Sequence, residues 1–327
     1  MSLFTLSVDF SYILRKMKLL HRKRQYLLSL LALLAAVFLF VGGPGPDSLR
    51  SFRFIWGMGH LFCFALWAYL YVCWRTPLSF KRSLLEIFLF ATLFGALSEL
   101  IQSQIGREAA WSDLGNDIVG ALAGLCFFAE SRKTIAKWQL KALQIPLLLL
   151  VLWILLPVGK VIVDDLISWR QFPLLSGFET PLEKTRWGTG ARHEISQSVA
   201  FSGRSSLRIK LTTQRYSGLG LKDFPHDWRG YRTISLQVFN PDEEKLTLHF
   251  RIHDQQHRQY QNAYSDRFNT SFAINPGWNH LQVPLETVAH APKDRLMDMG
   301  HIAGMGLFVG KLSRPRTIYL DEVRLLP

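Results

Sequence analysis

A group of polar residues sits at the edges of long apolar runs: His60, Glu99, Gln102, Arg107, Asp113, Asn116 and Asp117. An imidazole beside carboxyl groups can exchange protons near neutral pH. A guanidinium and side-chain amides can bind an oxyanion or a hydroxyl. The spacing groups them further. Glu99 and Gln102 are i,i+3, with Gly95 on the same side one helical turn earlier, and Asp113, Asn116, Asp117 and Gly120 share a face continued by Gly124. That set suits acid–base chemistry, or the capture of an anionic headgroup by Arg107 and His60. Each also has a structural role open to it. Asp113 follows Trp111-Ser112 as a helix N-cap would, Arg107 can anchor at an interface against Glu108 or Asp113, and His60 can be a polar helix end. Glu99 most needs a partner, because it lies within an apolar span.

The elements that must position these residues are apolar segments. Of the 327 residues, 49% are hydrophobic and 19% are charged. The first half is apolar blocks with basic joints, whereas the second half alternates like a β protein. A net charge of +13 invites a nucleic-acid reading. The basic residues lie instead in short runs flanking apolar segments, as in Arg15-Lys16, His21-Arg22-Lys23-Arg24, Lys81-Arg82 and Arg132-Lys133. That pattern is membrane topology charge, and no nucleic-acid partner is expected. Cys63, Cys73 and Cys126 all fall in apolar segments, which speaks against a metal cluster or a disulfide framework.

The expected organisation is a basic cytoplasmic leader over 1–26, a transmembrane domain over 27–163, a linker over 164–176 and a β-sandwich over 177–327. About five spans are expected, near 26–41, 56–74, 84–101, 114–129 and 145–163. The first is read as an uncleaved helix rather than a signal peptide, since no small-x-small cleavage pattern follows it. Lys and Arg concentrate in the leader and in the joints after the second and fourth spans, which places those in the cytoplasm. The chain is then a multi-pass protein of the inner (plasma) membrane whose C-terminal domain is periplasmic or extracellular. His60, Glu99, Gln102, Arg107 and Asp113 all fall at the outer membrane face.

The C-terminal half shows alternating runs at 205–211, 233–239, 246–253, 278–285 and 317–325, separated by turn signals such as Ser202-Gly203, Asn240-Pro241 and Asn275-Pro276-Gly277. About eight short strands over this length suit a sandwich. The stretch from His253 to Asn269 is dense in polar and aromatic side chains. Tyr260, Tyr264, Asp266 and Arg267, with Tyr216, are the sugar-face candidates: rings stack on sugar faces while polar groups bond hydroxyls. Trp228, Phe268 and Trp278 read as core. His253 and His257 are i,i+4, but a metal pair at that spacing needs a helix, and this run continues from a strand.

His60-Leu61-Phe62 opening a span, Glu99-x-x-Gln102 closing the next, Arg107, and Asp113-Leu-Gly-Asn116-Asp117-Ile-Val-Gly120 opening another together resemble the VanZ-like membrane protein family over roughly residues 27–130. The resemblance implies small multi-spanning proteins of the cell envelope, linked to glycopeptide resistance through the founding member, without a settled reaction. Here Asn116 precedes Asp117, where the family usually has Asp-x-x-x-Asn-x-x-Gly, and Trp56-Gly-Met-Gly replaces the usual lysine ahead of the histidine. The bracket of Gly177-Phe-Glu179, Phe201-Ser-Gly203 and Tyr319-Leu-Asp321 resembles galactose-binding-like jelly rolls, the fold of many carbohydrate-binding modules. That resemblance implies a structural calcium at Glu179 and Asp321, and no other cofactor is expected. As plain strand-end acids, the two residues would need none.

Three functions remain. The β-domain could hold an envelope glycan or lipid-linked sugar while the bundle engages the membrane lipid. The bundle could instead be an enzyme acting by acid–base chemistry. Or the chain could anchor a binding module among other envelope proteins. No Gly-x-Ser-x-Gly or His-Glu-x-x-His motif supports an enzymatic β-domain.

Overall fold

The computed structural model describes residues 10–40, 43–45, 48–74, 79–104, 111–188 and 190–327. Arg107 lies outside them. The chain divides into two compact units, Met1–Gly45 with Phe52–Val158, and Pro46–Ser51 with Gly159–Pro327.

The first unit is helical. Its described helices are α1 (Phe10–Phe40), α2 (Arg50–Gly57), α3 (Gly59–Trp74), α4 (Phe80–Gln104), α5 (Trp111–Ala123) and the start of α6 (Lys137–Gln171). The expected spans 56–74, 84–101 and 145–163 fall on α2 with α3, on α4 and on α6. Three stretches are long and apolar enough to cross a bilayer by length and composition: Arg50–Trp74, Phe80–Gln104 and Lys137–Gln171. The other two expected spans differ. Gln25–Val37 is a shorter apolar helix, and 114–129 is divided between α5 and a wider π-turn over Gly124–Phe128. The leader is not a separate segment either, since α1 begins at Phe10.

Glycine sets the packing of α3 on α5. A Cβ built on Gly120 would stand 2.1 Å from the Leu61 carbonyl oxygen, and one on Gly124 would stand 2.2 Å from that of Ala65. Both pairs are four residues apart, so one helical face of each backbone touches the other, as small-xxx-small spacing permits. Phe64, Ile87, Ala91, Ala121 and Leu125 fill the core. Outside it, Leu85, Leu89, Leu93, Leu97 and Leu100 of α4 are exposed, as are Leu149, Leu152, Trp153 and Leu156 of α6. A helix in water hides its leucines; these helices turn theirs outward.

The second unit is a β-sandwich, as expected. Its strands are β1 (Leu174–Ser176), β2 (Trp187–Gly188), β3 (Arg192–Ser196), β4 (Ser206–Leu211), β5 (Tyr216–Leu221), β6 (Thr233–Asn240), β7 (Leu246–Asp254), β8 (Phe268–Ile274), β9 (Gly277–Pro284), β10 (Ile302–Gly310) and β11 (Arg316–Leu326). A short helix α7 (Leu285–Ala289) follows β9. One sheet has the order β3-β4-β11-β6-β9 with β1 on β11, the other β2-β5-β10-β7-β8, and the recorded pairings are antiparallel. Alternate residues of both sheets, among them Leu207, Ile209, Leu236, Val238, Phe250, Ile252 and Leu320, bury into one core.

The expected linker over 164–176 is not one. Residues to Gln171 continue α6, and β1 begins at Leu174. The reason is electrostatic. Asp164 carries the buried Arg186 guanidinium, with Nη2 to Oδ1 at 2.8 Å and Nε to Oδ2 at 3.1 Å. Arg50 adds a second cation to Asp164 at 3.2 Å. Ser51 donates its amide to Asp165 Oδ2 at 2.9 Å. The last turns of α6 and the segment 48–51 therefore belong to the β unit.

Candidate functional site

The helical unit brings much of the expected set together. His60 is the second residue of α3, Glu99 and Gln102 lie in the last turns of α4, and Asp113 and Asp117 lie in α5. His60 Nδ1 is 2.9 Å from Asp117 Oδ1. Its Nε2 faces Asp113 Oδ2 at 3.8 Å and Glu99 Oε1 at 3.9 Å. Gln102 donates to the Leu39 carbonyl at 3.0 Å and stands 3.4 Å from His60 Nε2. Gly95 makes room for the carboxylate, since a Cβ there would lie 2.6 Å from Asp117 Oδ2. Asp117 thus fixes the imidazole, and Asp113 and Glu99 stand at its other nitrogen. The order Asn116-Asp117 now has a structural meaning: Asp117 faces the histidine, and half-buried Asn116 makes no hydrogen bond to the cluster among the described residues. Nitrogen and oxygen atoms of His60, Glu99 and Asp113 lie within 4.8 Å of one another, a donor set able to hold a divalent metal ion. A cavity of about 320 Å³ lined by Leu39, Phe52, Trp56, Cys63, Asp113 and His60 opens onto the group.

In the β unit, the outward face of the second sheet carries a cleft of about 480 Å³. Register explains its shape. Gly188 of β2 pairs with Gly220 of β5, Gly220 with Gly306 of β10, Gly306 with Arg251 of β7, and Arg251 with Asn269 of β8. The row therefore has a floor of glycines that ends at an arginine. The next row sets Gly218 beside Phe308, and Phe308 beside His249. Glycine in a strand weakens it and often marks a close approach. The missing side chain of Gly306 is filled by Arg251, whose Nε lies 2.9 Å from a built Cβ. Tyr216 stands at one end, edge-on to Phe308 with centroids 6.0 Å apart. Tyr264 and Arg267 stand at the other, the guanidinium 5.3 Å from the ring centroid. Tyr216 and Tyr264 are 60% and 70% exposed, so their faces are available to a ligand.

Of the expected sugar-face residues, the cleft gathers Tyr216, Tyr264 and Arg267. Asp266 turns away to bond Arg295 Nε at 2.8 Å and His257 Nδ1 at 3.0 Å. Those bonds, the Arg295 guanidinium first, hold its carboxyl below the usual range. The Arg295 guanidinium lies over the Tyr260 ring, 5.0 Å from its centroid, and Tyr260 does not line the cleft. Asp254 completes this latch, receiving both Arg295 terminal nitrogens at 2.5 and 2.8 Å. His257 sits in a short 3-10 turn after β7, its ring 5.1 Å from His253. Trp228 and Phe268 are core, whereas Trp278 is only half-buried and packs outside the core on Phe201 and Phe239. Arg251, Phe308 and the glycine floor were not anticipated. The available signal was period-two glycine, at 218 and 220 and again at 304 and 306.

Glu179 and Asp321 both hold the loop at 201–205. Glu179 Oε1 accepts the amides of Arg204 and Ser205 at 2.8 and 3.0 Å. Asp321 Oδ2 accepts those of Phe201 and Ser202 at 2.7 and 3.2 Å. Burial raises the Asp321 carboxyl above its ordinary value. These oxygens meet amide hydrogens where a calcium ion would supply positive charge.

No family model matches the chain, and no curated protein does. Among solved structures it is similar to an exo-beta-agarase, at 17% identity and TM-score 0.39 over 47% of this chain and 24% of that one. It is also similar to a family 11 carbohydrate-binding module from Clostridium thermocellum in complex with a beta-1,3-1,4-mixed-linked tetrasaccharide, at 16% identity and TM-score 0.35 over 47% of this chain and 94% of that one. A family 30 carbohydrate-binding module gives 15% identity and TM-score 0.31 over 43% of this chain and 80% of that one. The matched part thus spans about a quarter of the agarase chain.

Proposed function

We propose that this chain is a multi-pass membrane protein that presents a glycan-binding β-sandwich outside the cytoplasm and engages cell-envelope polysaccharide or lipid-linked sugar. The observation that carries the binding function is the cleft: an open, glycine-floored trough on one sheet with exposed tyrosines at both ends. A flat floor admits an extended chain of sugar rings, and the tyrosines offer stacking faces with little entropy to lose. The membrane location rests on the outward leucines of α4 and α6 and on the Lys/Arg bias of the joints. The C-terminal unit outside the cytoplasm, and envelope lipid as a partner of the helical unit, follow from that bias.

The test uses the full chain in lipid nanodiscs against a panel of envelope and plant polysaccharides. Tyr264→Ala and Tyr216→Ala should each weaken binding about tenfold, as loss of a stacked ring and its buried area would. Binding that survives both, or no binding to any glycan, sinks the proposal. Reporter fusions after Lys141 and after Pro327 should report inside and outside respectively, and the reverse pattern overturns the topology.

A second reading rests on the His60 geometry. With Asp117 fixing Nδ1 and two carboxyl groups at Nε2, the cluster is arranged for proton transfer on a lipid-linked envelope substrate. His60→Ala and Glu99→Gln, in protein that still inserts, should then both remove the envelope phenotype of a deletion strain.

A further inference from the structure

The cleft contains two cations and no anion. Arg251 and Arg267 both line it, and no Asp or Glu is among the lining residues. Arg251 is half-buried and its guanidinium makes no hydrogen bond or ion pair among the described residues. Arg267 donates Nε to Asn269 Oδ1 at 3.0 Å, a neutral acceptor. A third guanidinium, Arg215, stands 5.5 Å over the Tyr216 ring. The nearby carboxylates are committed elsewhere, Asp254 and Asp266 both to Arg295. The fold elsewhere pairs its buried and half-buried arginines closely, as buried Arg186 with Asp164 and half-buried Arg295 with two acids.

A half-buried cation without a counter-charge is costly, and a second one facing the same cleft adds mutual repulsion. Both effects are visible on Arg251, whose pKa is lowered by its burial first and by Arg267 second. Gly306 is what lets the Arg251 stem lie flat across β10. A guanidinium is a fork of donors that matches a planar oxyanion.

We propose that this cleft selects acidic glycans, with Arg251 and Arg267 receiving carboxylate or sulfate groups of a chain whose rings rest on Tyr216 and Tyr264. This rests on the glycan-binding function above and names its substrate class. The anion supplies the charge that the lining lacks, and the spacing of acidic groups along an extended chain meets the two guanidinium groups in turn. The binding strength then falls with salt, as exposed ion pairs do.

The experiment compares three oligosaccharides of equal length on the full chain in nanodiscs: an oligogalacturonate, a sulfated galactan fragment and a neutral β-glucan fragment. The acidic oligomers should bind at least about tenfold more tightly than the neutral one, from one or two charge-assisted contacts. Arg251→Gln and Arg267→Gln should each bring them close to the neutral affinity, with an unchanged melting temperature as the folding control. Arg251→Lys should keep the salt dependence but lose part of the affinity. The carboxylate and sulfate arms tell which oxyanion is preferred. Equal affinity for acidic and neutral oligomers overturns the acidic selection and leaves the glycan cleft standing. Loss of all binding only in Tyr264→Ala does the same. No binding of any oligomer to wild type overturns both.

Discussion

Removing the Asp164 carboxylate should strip the β unit of a large share of its stability. Asp164 and Arg186 are each 1% exposed. Arg186 gives Asp164 Nε at 3.1 Å and Nη2 at 2.8 Å, and its Nη1 reaches the Leu175 carbonyl at 3.0 Å. The other nearby acid, Glu183, lies 3.9 Å away and already accepts the amides of Gly177, Phe178 and Thr180. In Asp164→Ala the guanidinium keeps its burial and loses its main counter-charge. Breaking a buried pair from one side costs about 3–5 kcal/mol, a large part of the roughly 5–15 kcal/mol that holds a domain together. With a urea slope of about 1–3 kcal/mol/M, the midpoint should fall by roughly 1–5 M. The assay is pulse proteolysis of the full chain in detergent across a urea series, read by a C-terminal epitope. Asp164→Leu with Arg186→Met should recover most of the loss, because the desolvation cost leaves with the charges. Glu194→Ala, which breaks an exposed pair with Arg208 at 3.3 Å, should stay within about 0.5 kcal/mol. A midpoint shift under about 0.3 M for Asp164→Ala, or a double variant no better than the single, refutes the reasoning.

Other outcomes follow from single contacts. Burial, then His257, Arg251 and Arg267, hold the His253 imidazole down at about 4. Its unfolded value is near 6.5, so the unfolded chain takes up protons first as pH falls. Stability of the β unit should be full above about pH 6.5 and fall by about 2–3 kcal/mol on going to pH 4, a loss that His253→Gln should remove; a pH profile unchanged by that substitution counts against it. Gly120→Ala should force α3 from α5, because its Cβ meets backbone 2.1 Å away, and should cost about 1–3 kcal/mol or more. Gly115→Ala, with nothing within 4 Å, is the control and should be neutral or slightly stabilising, both read by melting in detergent. Glu179→Gln should loosen the 201–205 loop and, because the carboxylate is exposed, cost only about 0.5–1 kcal/mol in buffer with chelator. A cost that appears only with calcium present would place the ion there.

The strands with strong alternation, β4, β6, β7, β9 and β11, were legible because one face of each meets the core. β5 and β10 were not, since their outward positions are glycines and aromatic rings, which give no polar signal. The polar cluster was legible as a list because helical spacing is local. Which acid faces His60 was not, because it depends on how deep Gly120 and Gly124 let α5 sink against α3. Asp266 shows the converse: its type fits a sugar face, but Arg295, distant in sequence, takes it.

By itself the sequence determined an apolar helical half with basic joints, an alternating β half and the polar set at the edges of the apolar runs. These follow from solvent preference and from periods of two or of about 3.6 residues, which neighbours along the chain decide. Tertiary structure alone decided that Asp164 belongs to the β unit and that Asp117 orients His60. It also decided that a row of glycines leads to Arg251. Each of these joins residues far apart in the chain, where only register and backbone approach fix which side chain meets which.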